Sequence, residues 1–309
     1  MNARRRPASP IESDRRGMIP AVRGGEWPLI GVRQPRRATI QCTQLLRWFG
    51  LLQFRGLLAG LLLVCTCIGA GSELRAQTAH FSGMVRTLGS GDPLNPVGVA
   101  VDRTGDVFIA DATDNAVKEM VAVNGSIPTS PTVLTVGSGF NHPEGVAVDG
   151  NGNVFVADQF NNAVKEIVAG TGGAAVGKVN SASTVKSLGS GFNHPEGVAI
   201  DGSGNVFVAD LGNNAVKEML AVGGSIPASP TIKAVGSGFS QPTAVAVDGS
   251  GNVFVADTLN NVVKQIVAGT GGAAAGTVNS SSTVKILGNG FSEPDGVAVD
   301  SSGNVFVAD

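Results

Sequence analysis

The sequence of 309 residues contains no tyrosine, two tryptophans and three cysteines. Every tryptophan and cysteine lies within the first 76 residues, so residues 77–309 contain none of these three residue types. A disulfide framework and a catalytic thiol are therefore excluded from this larger part. Histidine is also scarce, because the whole chain has only His80, His142 and His194. This scarcity disfavours a catalytic metal centre built from several histidines.

Positive charge becomes scarce after residue 76. The first 76 residues hold 12 of the 22 Lys and Arg residues and 4 of the 24 Asp and Glu residues. Residues 77–309 thus carry 10 basic and 20 acidic residues, a net charge of −10, although the whole chain has a net charge of −2. Phosphate binding needs clustered Lys and Arg, and an acidic surface repels a polyanion. We therefore predict that this part does not bind nucleic acid.

Residues 1–76 have the composition of a basic leader that contains a secretory signal. Residues 57–71 form an apolar run of 15 residues, with arginines before it and small and polar residues after it. This run is shorter than the about 20 apolar residues that a membrane span needs. We predict cleavage after Ala76 and a protein that is secreted, periplasmic or on the cell surface. The alternative is an uncleaved signal anchor, through which alone the protein would contact a membrane.

One heptapeptide, Gly-Asn-Val-Phe-Val-Ala-Asp at residues 152–158, organises the rest of the chain. Its last five residues, with one Val-to-Ile change, end in turn at Asp111, Asp158, Asp210, Asp257 and Asp309. The spacings between these aspartates are 47, 52, 47 and 52 residues, and the extra five residues always fall in the same loop. Self-similarity at such a period predicts a repeat architecture with two alternating kinds of unit.

Within one unit the apolar residues alternate with a period of two, which indicates short β-strands bounded by turns. For the second unit the pattern predicts a tight turn at 150–153 and strands at residues 145–149, 154–158, 163–168 and 184–188. Four antiparallel strands in 47 to 52 residues match the size of a propeller blade. Ala147 suits the crowded propeller axis, and Phe155 is predicted to fill the space between blades.

The residues of this unit resemble the NHL repeat. Pro-Glu-Gly-Val-Ala-Val-Asp at 143–149, the heptapeptide at 152–158, Asn162 and the Val-Lys pair at 164–165 follow the NHL pattern P-x-G-V-A-V-D, G-N-V-Y-V-A-D, N-x-R-I. Phe replaces the frequent Tyr, and Val-Lys replaces Arg-Ile. The resemblance implies an all-β fold, a β-propeller of four-stranded antiparallel blades that is most often six-bladed. It implies no single activity, because NHL proteins include an amidating lyase, RNA-binding domains and extracellular sensor domains.

The chain is thus predicted to consist of the leader, residues 1–76, and a propeller, residues 80–309. Five repeats are visible, the last one incomplete, at about residues 94–140, 141–192, 193–239, 240–291 and 292–309. Residues 84–91 resemble a lone fourth strand, which would complete the last blade of a closed ring. No third strand stands between Asp309 and that closing strand, so we expect the sequence to be short of one or more units. Adding a third strand patterned on residues 159–169 is expected to stabilise the chain.

Residues that recur in every blade are predicted to have a structural role, because equivalent blades stack through equivalent residues. A binding site, in contrast, is expected where the blades differ. The aspartate that closes each second strand and the asparagine four residues later are expected to bond nearby backbone amides. The recurring lysines are expected on an exposed strand face, at Lys118, Lys165, Lys217 and Lys264. Residues 149–153 superficially resemble a calcium loop. Val154 and Phe160 stand where that loop needs Gly and Glu, so a hairpin turn is predicted instead.

The loops that join the fourth strand to the first, and the second strand to the third, share one face and differ between blades. We predict that this face binds a ligand, and the candidate residues are His142, Glu144, Phe160, His194, Glu196, Leu211, Leu259, Glu293 and Asp295. Two histidines and a glutamate around one rim could also hold a metal, namely His142, His194 and Glu293. A loop histidine beside proline is usually only solvated, so the pattern favours a site without metal. No catalytic residue and no cofactor are predicted.

Two classes of function are compatible with these patterns. The first is a non-catalytic exported module that binds a protein, peptide or glycan. The alternative is a metal-dependent lyase or hydrolase with its site at the central channel. Scarce histidine disfavours the enzyme, and the absence of Trp and Tyr from residues 77–309 disfavours the stacking of sugar rings on aromatic side chains. The sequence therefore favours the binding module.

We predict that the leader is removed on export, because an apolar run of 15 residues flanked by arginine is typical of a cleaved signal. N-terminal sequencing of the exported product should begin after residue 76. An exported product that still contained residues before Leu57 would show that the leader is retained.

Overall fold

The structure is a computed structural model that describes residues 95–170, 177–270, 276–288 and 290–309. The predicted leader, its cleavage site, the lone strand at 84–91 and His80 lie outside the described residues. Within the described ranges, no helix is both long enough and apolar enough to cross a membrane.

The described residues form four four-stranded sheets and one two-stranded sheet. The first sheet consists of β1 (Pro96–Val101), β2 (Val107–Asp111), β3 (Ala116–Met120) and β4 (Val133–Val136). The second consists of β5 (Pro143–Val148), β6 (Val154–Asp158), β7 (Ala163–Ile167) and β8 (Val185–Leu188). The third consists of β9 (Pro195–Ile200), β10 (Val206–Asp210), β11 (Ala215–Met219) and β12 (Ile232–Val235).

The fourth sheet consists of β13 (Pro242–Val247), β14 (Val253–Asp257), β15 (Val262–Ile266) and β16 (Val284–Leu287). The fifth contains β17 (Gly296–Val299) and β18 (Val305–Ala308). In every four-stranded sheet the strands pair antiparallel and in chain order, which confirms the predicted blade. The predicted first strand of the second blade was two residues too short at its start, because Pro143 pairs with Asp158 across a register shift.

Neighbouring sheets pack face to face through apolar side chains. Phe155 of the second sheet is 2% exposed and packs in one cluster with Val198 and Val206 of the third sheet and with Phe192 of the loop before it. Phe108 and Phe207 occupy the same position at the first and third junctions. Burial of a side chain of this size stabilises a fold by about 1.5–3 kcal/mol. The predicted role of Phe155 between blades is confirmed.

Adjacent inner strands approach one another closely at a glycine rather than at Ala147. A Cβ atom on Gly145 would lie 2.3 Å from the carbonyl oxygen of Glu196, and one on Gly98 would lie 2.2 Å from that of Glu144. Ala147 lies further along β5, where it packs against the cluster between the second and third sheets and lines a second cavity between the inner strands. The missing side chains let the inner strands meet, which brings the residues beside these glycines close to the propeller axis.

A buried aspartate closes the second strand of each four-stranded sheet and anchors the loops around it. Asp158 is fully buried, and its Oδ1 accepts the backbone N–H of Asn141 at 2.6 Å. Its Oδ2 accepts Nδ2 of Asn161 at 2.7 Å and lies 2.5 Å from Nζ of Lys165. Asp210 and Asp257 repeat these contacts, the latter with Ser240 in place of Asn141. The prediction that these aspartates are scaffold is confirmed.

The predicted exposure of the recurring lysines is wrong. Lys118 and Lys264 are buried, and the side chains of Lys165 and Lys217 are only 12% and 18% exposed. The ammonium group of Lys165 also donates to the carbonyl of Gly139 and lies 5.5 Å from the centre of the Phe140 ring. The loop before β5 therefore covers a strand face that the alternating pattern leaves open. The alternation of apolar and polar residues in a strand does not reveal that a loop from elsewhere in the chain covers its polar face.

The turn at residues 149–153 is a hairpin, as predicted. Oδ1 of Asp149 accepts the backbone N–H of Asn151 at 2.8 Å and that of Asn153 at 2.9 Å. Gly152 has φ +87°, and a Cβ atom on it would lie 2.1 Å from the carbonyl oxygen of Gly177. Positive φ and a close backbone contact both require glycine at this position.

We expect Asp158→Ala to destabilise the protein by about 3–5 kcal/mol, because it leaves Lys165, Asn161 and a backbone amide without their shared acceptor. Urea denaturation of the purified protein measures this loss. Asp114→Ala is the control, because Asp114 pairs with Lys118 while its side chain is 45% exposed. That change should cost about 1 kcal/mol or less. Equal losses in the two variants would contradict the scaffold role of Asp158.

Candidate ligand-binding site at the channel mouth

The inner strands β1, β5, β9, β13 and β17 surround a cavity of about 890 Å³, which we call the axial cavity. Its wall is rich in valine, with Val99, Val146, Val198, Val245 and Val297 at equivalent positions of the five blades. The cavity is also lined by the residue two positions before each of these valines, and this residue differs between the blades. It is Val97, Glu144, Glu196, Thr243 or Asp295. Within the described part of the chain, all the charged residues that line the cavity are therefore acidic.

The two rim histidines are held in position by the preceding blade. His142 and His194 have φ values of 56° and 48°, a left-handed conformation just before the proline that begins the next inner strand. Their backbone N–H groups donate to Oδ1 of Asn115 at 2.7 Å and of Asn162 at 2.8 Å. The recurring asparagines were predicted to bond nearby backbone amides, and the amides that they bond belong to the following blade, 27 and 32 residues further along the chain. Their side chains therefore connect one blade to the next.

Phe160 brings the two histidines together. Its ring is stacked on the imidazole of His142, with centroids 4.4 Å apart and planes 22° apart. His194 meets the same ring edge-on at a centroid distance of 6.0 Å. Although its hydrophobic ring favours burial, Phe160 remains 51% exposed. The three rings form a half-exposed aromatic surface at the junction of the second and third blades.

Glu144 connects this surface to the axial cavity. Its Oε1 lies 2.7 Å from Nδ1 of His142, and the Glu144 side chain is only 13% exposed. Burial raises the pKa of Glu144 above its ordinary value of 4.5, because the low-dielectric wall disfavours the charged carboxylate, while His142 opposes this change. The carboxyl group is thus a readily protonated acid beside an imidazole.

Glu196 occupies the same position one blade further on. Its Oε1 accepts a hydrogen bond of 2.9 Å from Nε2 of Gln159 in the second blade. Burial raises the pKa of Glu196 to about 7, and the negative charges of Glu144 and Asp295 add to this effect. The hydrogen bond from Gln159 acts in the opposite direction, since it favours the charged form.

A different polar pair occupies the junction of the fourth and fifth sheets. The hydroxyl groups of Thr243 and Thr258 lie 2.8 Å apart, and Thr258 donates to the carbonyl of Pro294 at 2.9 Å. Gln159, Thr243 and Thr258 were not among the predicted site residues. The residue directly after the recurring aspartate varies between blades, and this variation could have indicated two of them; the four residues are Ala112, Gln159, Leu211 and Thr258.

The structure gathers five of the nine predicted site residues at the junction of the second and third blades, namely His142, Glu144, Phe160, His194 and Glu196. Asp295 joins them through its charge on Glu196. Leu211 is half-buried, Leu259 is 50% exposed, and Glu293 is exposed at the fifth sheet. Among the described residues, no group of three or more His, Cys, Asp and Glu side chains is arranged to hold a metal ion.

We expect Glu196→Gln to stabilise the protein more at pH 8 than at pH 5. The folded-state pKa of Glu196 is about 7 and exceeds the ordinary value of 4.5, so ionisation above pH 7 disfavours the folded state. Its contribution to stability falls as the pH rises from about 4.5 to about 7, and glutamine removes this dependence. Calorimetry of both proteins at the two pH values measures the difference in Tm. Leu259→Ala, an uncharged rim change, should shift Tm equally at both pH values, and the same result for Glu196→Gln would contradict the raised pKa.

Comparison with known proteins agrees with this architecture. The NHL repeat model matches residues 140–163 and 192–218. No curated protein matches the chain. Similar solved structures include a streptogramin B lyase, with 12% identity and a TM-score of 0.51 over 72% of this chain and 64% of the lyase. Another is a Bacteroides uniformis protein proposed to be a 6-phosphogluconolactonase, with 13% identity and a TM-score of 0.52 over 72% of this chain and 66% of that protein.

The chain thus spans slightly less than two thirds of the length of these two proteins. At such low identity the likeness shows the fold alone. The resemblance inferred from residues 143–165 is confirmed by the match to the family model. Residues 140–163 and 192–218 match the NHL repeat, and they lie in the second and third blades of a β-propeller.

Proposed function

We propose that this chain is a non-catalytic binding module of an exported protein, and that the mouth of its axial cavity holds a positively charged group of a peptide ligand. The observation that carries the proposal is the charge of the cavity. Glu144, Glu196 and Asp295 line it, and the remaining lining residues of the described chain are apolar or neutral.

The energetics of these carboxyl groups favour a cationic ligand. Burial already raises the pKa values of Glu144 and Glu196, because each charged form lacks a sufficient counter-charge in the folded protein. A guanidinium or ammonium group at the mouth would supply that charge and would release the bound proton. Charge-assisted hydrogen bonds to carboxylates are about twice as strong as neutral ones. The valine walls suit the methylene stem of a lysine or arginine side chain.

The aromatic surface supports a peptide rather than a sugar or a nucleic acid. Phe160 stacks on His142 next to Glu144, and His194 meets the Phe160 ring edge-on, so an arginine can contact the exposed part of these rings while its guanidinium reaches the carboxylate. Residues 77–309 provide neither Trp nor Tyr for stacking sugar rings, and their net charge of −10 repels phosphates. Export remains a prediction that depends on the leader.

Fluorescence anisotropy with two labelled heptapeptides tests the proposal. The probes are an alanine-rich peptide with one central arginine and the same peptide with glutamate at that position. We expect the arginine peptide to bind and the glutamate peptide not to bind. Affinity should increase from pH 6 to pH 8, because Glu196 loses its proton near pH 7 and then attracts the cation. Glu144→Gln combined with Glu196→Gln should lower the affinity by about tenfold or more, as expected for loss of charge-assisted bonds.

Val222→Ser is the matched control, because Val222 is 72% exposed in a connector between the third and fourth strands, on the opposite face. Its affinity for the arginine peptide should equal that of the unaltered protein. Equal binding of the two peptides, or undiminished binding by the double glutamine variant, would overturn the proposal. The alternative function, a metal-dependent lyase or hydrolase at the channel, stays a prediction.

A further inference from the structure

The four complete blades have strands of the same order and lengths, but the residue after the closing aspartate distinguishes them. It is Ala112, Gln159, Leu211 or Thr258 in the four blades in turn. Gln159 is the one long polar side chain in this set, and it is only 8% exposed. Long polar side chains are rarely buried unless they form hydrogen bonds. The position of Gln159 therefore calls for a specific polar partner.

That partner is a carboxylate of the next blade. Nε2 of Gln159 donates to Oε1 of Glu196 at 2.9 Å, and this bond joins the loop after β6 to the start of β9. The backbone of Gln159 is fixed on both sides, because its N–H donates to the carbonyl of His142 at 3.3 Å and its C=O accepts the N–H of Asn162 at 3.0 Å. The amide group thus reaches Glu196 from a rigid turn.

The charged groups around Glu196 oppose its ionisation. Glu144, on the neighbouring strand β5, and Asp295, just before β17, both raise its pKa through their negative charge, in addition to the effect of burial. The residue at the equivalent position on β13 is Thr243, which carries no charge. His142 contacts Glu144 rather than Glu196. The Gln159 amide is the group that opposes these effects and favours the carboxylate.

We propose that Gln159 is a positioning residue, which holds the Glu196 side chain at the mouth of the axial cavity and keeps it able to carry a negative charge. The inference rests on the proposed function, because a cationic ligand needs a charged Glu196. Gln159 itself remains buried behind this carboxylate. Replacing it should change the charge of the site while leaving the propeller intact.

A pH titration of the Glu196 carboxyl resonance by carbon-13 NMR tests the proposal without any ligand. We expect Gln159→Leu to raise the pKa of Glu196 above its value of about 7, because among the described residues Gln159 is the one side chain that donates to this carboxylate. Leucine and threonine already occupy this position in other blades, so Gln159→Thr is a second variant that the turn accommodates. In the unaltered protein, the side-chain amide resonances of Gln159 should shift with the same midpoint as Glu196.

Gln241→Asn is the control, because Gln241 is exposed in a loop on the same face and asparagine tolerates its φ of 48°. This change should leave the Glu196 titration unaltered. An unchanged Glu196 midpoint in both Gln159 variants, or Gln159 amide resonances that do not follow Glu196 in the unaltered protein, would overturn the proposal.

Binding of the arginine heptapeptide gives a second readout. If the pKa of Glu196 rises by about one unit, its charged fraction at pH 7 falls from about one half to about one tenth. Gln159→Leu should then bind the peptide more weakly at pH 7 and recover affinity as the pH approaches 9. A merely structural role would weaken binding equally at every pH. If the NMR shift is observed but no peptide binds, the proposed ligand is wrong and the role of Gln159 stands.

Discussion

A buried carboxylate at the end of the second strand of each four-stranded sheet is the contact on which the loop face of this propeller depends. Asp158 binds the amide of Asn141, the side chain of Asn161 and the ammonium of Lys165, so two loops and a strand meet at one acceptor. Removing one partner from a buried ion pair leaves an uncompensated charge, which is why such a set tolerates little change. The next residue after Asn141 is His142, so this anchor also fixes the rim of the candidate site.

The repeated contacts make the site possible by confining variation to a few positions. Asn115 and Asn162 bind the backbone N–H groups of His142 and His194 and hold them in the same conformation. These bonds do not depend on which side chain the held residue carries. The residues at these positions, and the residue after each closing aspartate, can then differ without disturbing the stack of blades. The repeated contacts hold the backbone of the blades in the same way. The rim of the second and third blades differs from that of the others in its three contacting rings, those of His142, Phe160 and His194.

The acidic lining of the axial cavity is unfavourable for the isolated protein. Burial raises the pKa values of both Glu144 and Glu196, and the charge of Glu144 adds to this effect at Glu196, so each carboxylate disfavours folding when it is charged. Perturbed pKa values of this kind cluster at functional sites, although ion pairs that are only structural also produce them. A hydrogen bond from Gln159 partly offsets the effect at Glu196. The closely spaced acidic groups that lower the stability of the folded protein would also increase its affinity for a cation.

The sequence by itself determined the blade, because alternating apolar residues, glycine turns and a period of 47 or 52 residues are local patterns that repeat. The sequence also indicated which face of the propeller carries the candidate site, because the loops on that face differ between repeats. Burial of Lys118 and Lys264, the bonds from asparagine to the next blade and the contact between Gln159 and Glu196 were decided only by tertiary structure. Gln159 and Glu196 stand 37 residues apart in different units. No pattern within one repeat reports a contact made only when two blades stack.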